Sequence, residues 1–199
     1  MINLKEIDAV VFDIGNVLIH FAWEEYLDSF GFSPSTRESV AKAVFLNEDW
    51  SLGDKGFETD EWLSALIDNA PEFEKEIREV FMDFGKTIVP YPYVEEFIDF
   101  FKNKGIRTYY LSNYSDEMYL QSKEQLAFLE KMEGGVFSWK EKCIKPNPEI
   151  YDILLERYEL IPEKTLFFDD LEENIKAAQE KGIKGMVFTP NIALQILGK

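Results

Sequence analysis

Ala9-Val10-Val11-Phe12-Asp13 opens the first regular segment of the chain, and Thr165-Leu166-Phe167-Phe168-Asp169-Asp170 repeats its form near the other end. Each is a short, wholly apolar run that stops at carboxylates. A run without polar alternation suits a strand buried on both faces, as in a parallel sheet covered by helices. An acid at its end then lies at the carboxyl edge of the sheet, where open α/β sheets bind their ligands. Three carboxylates gathered at one edge repel each other unless a cation or a proton holds them.

Working outward from the first run, a strand from Ile7 to Phe12 is followed by a turn and a short extended segment over Ile14 to Phe21, with Gly15 permitting tight geometry. From about Trp23 to Lys86 apolar residues recur three or four apart, as in Trp62, Leu63, Leu66 and Ile67. Ser33, Ser51, Thr59 and Pro71 punctuate this block into about four short helices, and it carries no strand signal. It reads as a helical insertion after the first strand. Helix and strand then alternate. A helix over Tyr93 to Lys104, stopped by Gly105, precedes a strand over Ile106 to Leu111 that runs into Ser112-Asn113. Next come a helix near Glu117 to Leu129, a strand over Val136 to Ser138 and a helix over Glu149 to Tyr158. The Thr165 run follows, then a helix over Glu172 to Lys181 closed by Gly182, and a last strand over Gly185 to Thr189. The pattern predicts an α/β, Rossmann-like fold: a parallel five-stranded sheet with helices on both faces.

Composition narrows the function classes. Acids outnumber bases by 38 to 21 in 199 residues, a net charge of −17 that disfavours nucleic acid and anionic membrane surfaces as partners. An anionic ligand would need a locally positive pocket. No apolar stretch approaches the ~20 residues that span a bilayer, and the first residues lack a basic n-region and cleavage site. Cys143 is the only cysteine, with no histidine nearby to activate it, so a reducing cytoplasm is the expected location.

The chemistry-bearing residues cluster at segment ends. Asp13 can serve as a nucleophile, ligate a hard cation such as Mg²⁺, or cap a turn. Ser112 can hold an anionic oxygen with its hydroxyl and the neighbouring N–H groups, or cap a helix. Lys145, in Cys-Ile-Lys-Pro-Asn-Pro, can offset negative charge at Asp13 and on a substrate, or lie in solvent. Of Asp169 and Asp170, one suits a helix cap and the other a metal, and Asn174 falls in the following first turn, within reach of a metal-bound water.

Taken in order, these segments resemble the haloacid dehalogenase superfamily. Asp13, in Val-Val-Phe-Asp-Ile-Gly-Asn-Val-Leu, falls at the nucleophile of its first motif. Ser112 matches the second motif, and Lys145, in Lys-Pro-Asn-Pro-Glu-Ile-Tyr, the third. Asp169-Asp170, in Phe-Phe-Asp-Asp-Leu-Glu-Glu-Asn-Ile, matches the fourth. The resemblance implies a catalytic core over 1–21 and 87–199 with an α-helical cap domain over 22–86. It implies a Mg²⁺-dependent phosphatase of a small phosphorylated metabolite, working through an aspartyl-phosphate at Asp13. Asp13, the Gly15 carbonyl and Asp170 would bind Mg²⁺, with Asp169 and Asn174 close by. Ser112, Asn113 and Lys145 would hold the phosphoryl group. Many phosphatases of this superfamily carry a second Asp, a general acid, where Gly15 stands. The Asp-x-Gly-Asn-Val variant is similar to sugar-phosphate (glucose-1-phosphate) phosphatases, and His20 is the stand-in acid that the sequence offers. A 2-haloacid dehalogenase and a non-catalytic binding or regulatory module are the alternative readings. Whether the chain is a monomer or a homodimer is not legible. Among the aromatics of the helical block, Phe45, Trp50, Phe57 and Trp62 are expected to build its core or face the site, and Trp50-Ser51-Leu52-Gly53 reads as a turn toward the core domain.

Overall fold

The computed structural model describes residues 3–199. Five parallel strands form its main sheet: β1 (Ala9–Phe12), β4 (Arg107–Ser112), β5 (Gly134–Phe137), β6 (Thr165–Asp169) and β7 (Lys184–Val187). They lie in the order β5-β4-β1-β6-β7, so β1 is central and both its neighbours come from the far half of the chain. Phe12 pairs with Tyr110 on one side and with Phe168 on the other. This register brings Asp13, Ser112 and Asp169 to the same carboxyl edge. The five expected strands are therefore present, with ends shifted by one or two residues.

Side-chain alternation along β1 divides the core. Val10 and Phe12 face a cluster that includes Phe97, Ile98 and Phe101 of α6 (Val94–Lys102) and Ala193 of α11 (Pro190–Leu197). Ala9 and Val11 face Ile150, Tyr151 and Leu154 of α9 (Pro148–Arg157) and Ile175 and Ala178 of α10 (Glu172–Glu180). Both faces are thus covered, which explains why the strand is apolar at every position. Phe12 meets Phe97, Phe101 and Phe168 at centroid distances of 5.3, 5.8 and 5.8 Å. Burying each such ring contributes about 1.5–3 kcal/mol, so β1 is anchored within a residue of Asp13.

Between β2 (Ile19–Phe21) and β3 (Ile88–Pro90) lies the helical block: α1 (Trp23–Asp28), α2 (Pro34–Val44), α3 (Trp50–Asp54), α4 (Thr59–Asp68) and α5 (Glu74–Phe81). The two strands pair antiparallel, Phe21 opposite Ile88, so the chain leaves and re-enters the core through one ribbon. There are five helices rather than about four, because the Trp50 segment, read as a turn, closes into a helix of its own. Ser33 caps α2, accepting from Thr36 N–H at 3.2 Å with Pro34 in the first turn.

Three further differences from expectation have local causes. The helix expected over Glu117 to Leu129 stops as α7 (Asp116–Gln121), because Ser122 Oγ donates back to Met118 O at 2.6 Å and pairs with the buried Tyr114 hydroxyl; a short 3-10 turn follows at Ala127–Lys131. Ser138 begins the short α8 (Ser138–Glu141) rather than ending β5. The last strand stops at Val187, and the tail forms α11 behind Thr189-Pro190. Among the described residues, no helix is long and apolar enough to cross a membrane.

Candidate active site

The loop after β1 shapes the floor of the site. The Ile14 carbonyl accepts from the N–H groups of both Leu18 and Ile19, at 2.9 and 3.0 Å, which folds residues 14–19 tightly and turns Gly15 toward the cavity. Asn16 sits at φ 54°, a left-handed conformation that Asn tolerates better than most residues. Its Nδ2 donates to Asp170 Oδ2 at 3.1 Å, tying the β1 loop to the β6 loop.

Three carboxylates converge here. Asp13, Asp169 and Asp170 each place one oxygen within 4.8 Å of the others. At an effective dielectric of 20, two like charges about 5 Å apart repel by about 3 kcal/mol, so three ionised groups need a cation. Lys145 supplies one positive charge. Its ammonium is buried and lies 2.9 Å from Asp13 Oδ1 and 2.6 Å from Asp169 Oδ2. Burial alone would lower the pKa of this lysine, but Asp13 and Asp169 outweigh it and hold the ammonium above its usual value. Burial also pushes the Asp13 carboxyl up to about 7, with Lys145 opposing and Asp169 adding to the rise. Asp170 is raised as well, by burial first, against the hydrogen bond from Asn16. One lysine therefore leaves a deficit of positive charge, and all three donors are hard oxygens of the kind that Mg²⁺ prefers.

Each carboxylate is oriented differently. Asp13 Oδ1 accepts from the Ile14 N–H at 2.7 Å and from Lys145. Among the described residues, nothing donates a hydrogen bond to its Oδ2. Asp169 is fully buried, and its oxygens accept from Asn174 Nδ2 at 3.0 and 3.1 Å, from Leu171 N–H at 2.9 Å and from Lys145. It thus orients the lysine, and α10 starts at Glu172, behind Leu171, without a side-chain cap. Asn174 Nδ2 holds Asp169, and its own Oδ1 is buried without a partner.

Ser112 is buried at the end of β4 and lines a cavity of about 90 Å³ together with Asp13, Gly15, Ile19, Phe21, Trp50, Asp54 and Asn113. The side-chain amide of Asn113 is engaged elsewhere: it donates to Lys145 O at 3.0 Å and accepts from Lys145 N–H at 2.8 Å. This reciprocal pair positions Lys145, so any contact from Asn113 to an anion falls to its backbone. Because Ile19 and Phe21 face the cavity, the period of the strand turns His20 the other way. Its Nε2 meets Glu25 Oε1 at 3.2 Å and its side chain is 44% exposed, outside the cavity lining. Trp50 lines the cavity, Trp62 and Phe45 pack behind it, and Phe57 is exposed. Two residues at the site are given no role by the sequence reading: Asn16, which stands in the first motif but whose contact depends on the β1–β6 adjacency, and Asp54, which enters from the helical block.

The site is thus a buried Asp13–Lys145–Asp169 triad at the carboxyl end of the central strands of an open parallel α/β sheet. The chain belongs to the haloacid dehalogenase-like hydrolase family, whose model matches residues 7–182. It is 28% identical over 184 residues to a phosphorylated carbohydrates phosphatase of Thermotoga maritima, covering 89% of this chain and 82% of that protein. It is 26% identical over 188 residues to a sesquiterpene phosphatase of Aspergillus oryzae, covering 93% and 91%. In fold it is similar to a HAD family enzyme of Bacteroides thetaiotaomicron solved in complex with magnesium and inorganic phosphate, with a TM-score of 0.69 and 22% identity over 92% of this chain and 94% of that one.

Proposed function

We propose that the protein is a magnesium-dependent phosphatase that hydrolyses a small phosphorylated metabolite, a sugar phosphate or similar, through a phosphoryl group carried on Asp13. The observation that carries this reading is the Asp13 carboxylate itself: Oδ1 is pinned by Lys145 and a backbone N–H, Oδ2 accepts no hydrogen bond among the described residues, and Asp13 lines a small cavity. Asp13, Asp170 and the Gly15 carbonyl would hold Mg²⁺. When bound, the ion would neutralise phosphoryl charge and let a carboxylate meet an anion. Asp13 Oδ2 attacks phosphorus, the ester oxygen leaves, and water later attacks the aspartyl phosphate. Lys145 and Ser112 bind the phosphoryl oxygens, and Asp169, Asn174 and Asn113 keep the lysine aimed.

The helical block over 22–86 is assigned as a cap that closes the site and limits substrate size, since α3 contributes Trp50 and Asp54 to the cavity. Cytoplasmic residence fits the single buried cysteine. The unbalanced charge of three carboxylates supports a metal-using phosphatase over a metal-free 2-haloacid dehalogenase, and the names of the two phosphatase relatives described above point the same way. The test is a screen of phosphate esters with and without Mg²⁺ beside Asp13→Asn. Mg²⁺-dependent phosphate release that Asp13→Asn abolishes is the expected result; chloride release from 2-haloacids without Mg²⁺ would replace this reading.

A further inference from the structure

Gly15 stands in the cavity with no proton to give, and an alkoxide leaving group needs one. His20 points away from the cavity. The helical block offers another acid at Asp54, the last residue of α3, which lines the same cavity as Asp13, Gly15 and Ser112. Its carboxyl is half-buried and, among the described residues, takes part in no hydrogen bond or ion pair, whereas Asp49, the residue before α3, is held by Asn69 Nδ2 at 2.9 Å.

The protein fixes the backbone that carries this carboxyl. Ser138 Oγ at the start of α8 donates to Asp54 O at 2.7 Å and accepts from Tyr114 N–H at 3.0 Å, so the end of α3 is latched to the core. Lys142 donates to the Gly56 carbonyl just beyond. On the other side, α3 lies flat on the Trp62 indole because residue 53 is glycine: a Cβ there would come within 2.8 Å of the ring. An unpartnered carboxyl carried on a doubly latched element, in the same cavity as the nucleophile, is a candidate for proton transfer.

We infer that Asp54 is the general acid and base of the reaction, donated by the helical block in place of a residue at position 15. This rests on the phosphatase reading above. In the first step Asp13 Oδ2 bonds to phosphorus, the phosphorus–ester oxygen bond breaks, and the leaving oxygen takes the Asp54 proton. In the second step Asp54, now a carboxylate, takes a proton from water as that water's oxygen bonds to phosphorus; the phosphorus–Asp13 bond breaks and both carboxyls return to their starting states. Burial, which pushes Asp54 up to about 7 with Lys145 opposing, Asp13 adding and Lys55 opposing, agrees with a group that is protonated before the first step.

The experiment compares phenyl phosphate, a poor leaving group, with 2,4-dinitrophenyl phosphate, which needs no proton to leave. Asp54→Asn is expected to lower kcat/KM on phenyl phosphate by about 10²–10⁴-fold and on the dinitrophenyl ester by less than about tenfold. With the second step slowed, the dinitrophenyl ester should give a burst of about one dinitrophenolate per protein and then slow turnover. Position 15 has open space for a side chain, so adding Gly15→Asp to Asp54→Asn should restore phenyl phosphate turnover. Equal losses on both esters without a burst would overturn the assignment while leaving the phosphatase reading intact. A wild-type protein that hydrolyses neither ester with Mg²⁺ would remove that reading, and the role of Asp54 with it.

Discussion

Lys145 is worth more in this fold than a surface lysine because it has no solvent to fall back on. Removing it strands Asp13 and Asp169 in the protein interior, and breaking such a buried pair costs about 3–5 kcal/mol. Lys145→Met should therefore abolish turnover and lower urea stability of the metal-free protein at neutral pH by about that amount. The loss should shrink in acid, as Asp13, pushed up to about 7 by burial, protonates. Equal loss at both pH values would show that the lysine acts through packing instead. Asp54 gives the opposite sign. Its folded value of about 7 lies above the ordinary 3.8, so the folded state binds the extra proton between those pH values. Burying it costs stability progressively as pH rises through that window, and in full above it. In metal-free protein, Asp54→Asn should gain stability relative to wild type from about pH 4 to about pH 7 and hold that gain above, read as a shift in urea midpoint. At this scale Asp13, Lys145 and Asp169-Asp170 were legible because each ends an apolar run or sits beside proline. Asn16, Asn113 and Asn174 were legible only as neighbours, since their amides bond to groups up to 154 residues away that no spacing reveals.

Helix α3 decides whether the helical block can take part in chemistry. The periodicity of this block marks its apolar faces but not which surface each one meets, so a five-residue helix carrying Trp50 and Asp54 passed as a turn. Its placement depends on Gly53. A methyl group at 53 must displace α3 or the Trp62 ring, and overpacking of this kind costs about 1–3 kcal/mol. Gly53→Ala should lower the unfolding midpoint accordingly, and it should reduce phosphatase kcat through the displaced Asp54 while leaving Mg²⁺ affinity, measured by calorimetry, unchanged. A fall in Mg²⁺ affinity would mean that α3 supports the metal site rather than the acid. The strands were easier to read, because wholly apolar runs of four or five residues between helices have few other homes.

Across the whole molecule, a net charge of −17 would repel the phosphorylated substrate proposed above, so its affinity would have to come from local neutralisation. Lys145 would provide part, and the three-carboxylate cluster calls for a divalent ion to provide the rest. Mg²⁺ at 100 times its dissociation constant should stabilise wild type by about 2.7 kcal/mol, and Asp170→Ala should lose most of that gain; thermal melts with and without Mg²⁺ measure both. The sheet order explains why so much of this was readable from end to end. Placing β1 between β4 and β6 gathers residues 13, 112 and 169, and the order of the motifs along the chain already implied that meeting. What stayed hidden was the face that the helical block turns to the sheet, because it depends on contacts between segments that share no pattern. The central claim is that Asp13 carries the phosphoryl group, and the direct measurement is mass spectrometry of protein quenched in acid during turnover of 2,4-dinitrophenyl phosphate with Mg²⁺. One phosphoryl group on the peptide containing Asp13, absent in Asp13→Asn, is the predicted result; phosphate release with Asp13 unmodified, or turnover that persists in Asp13→Asn, would contradict it.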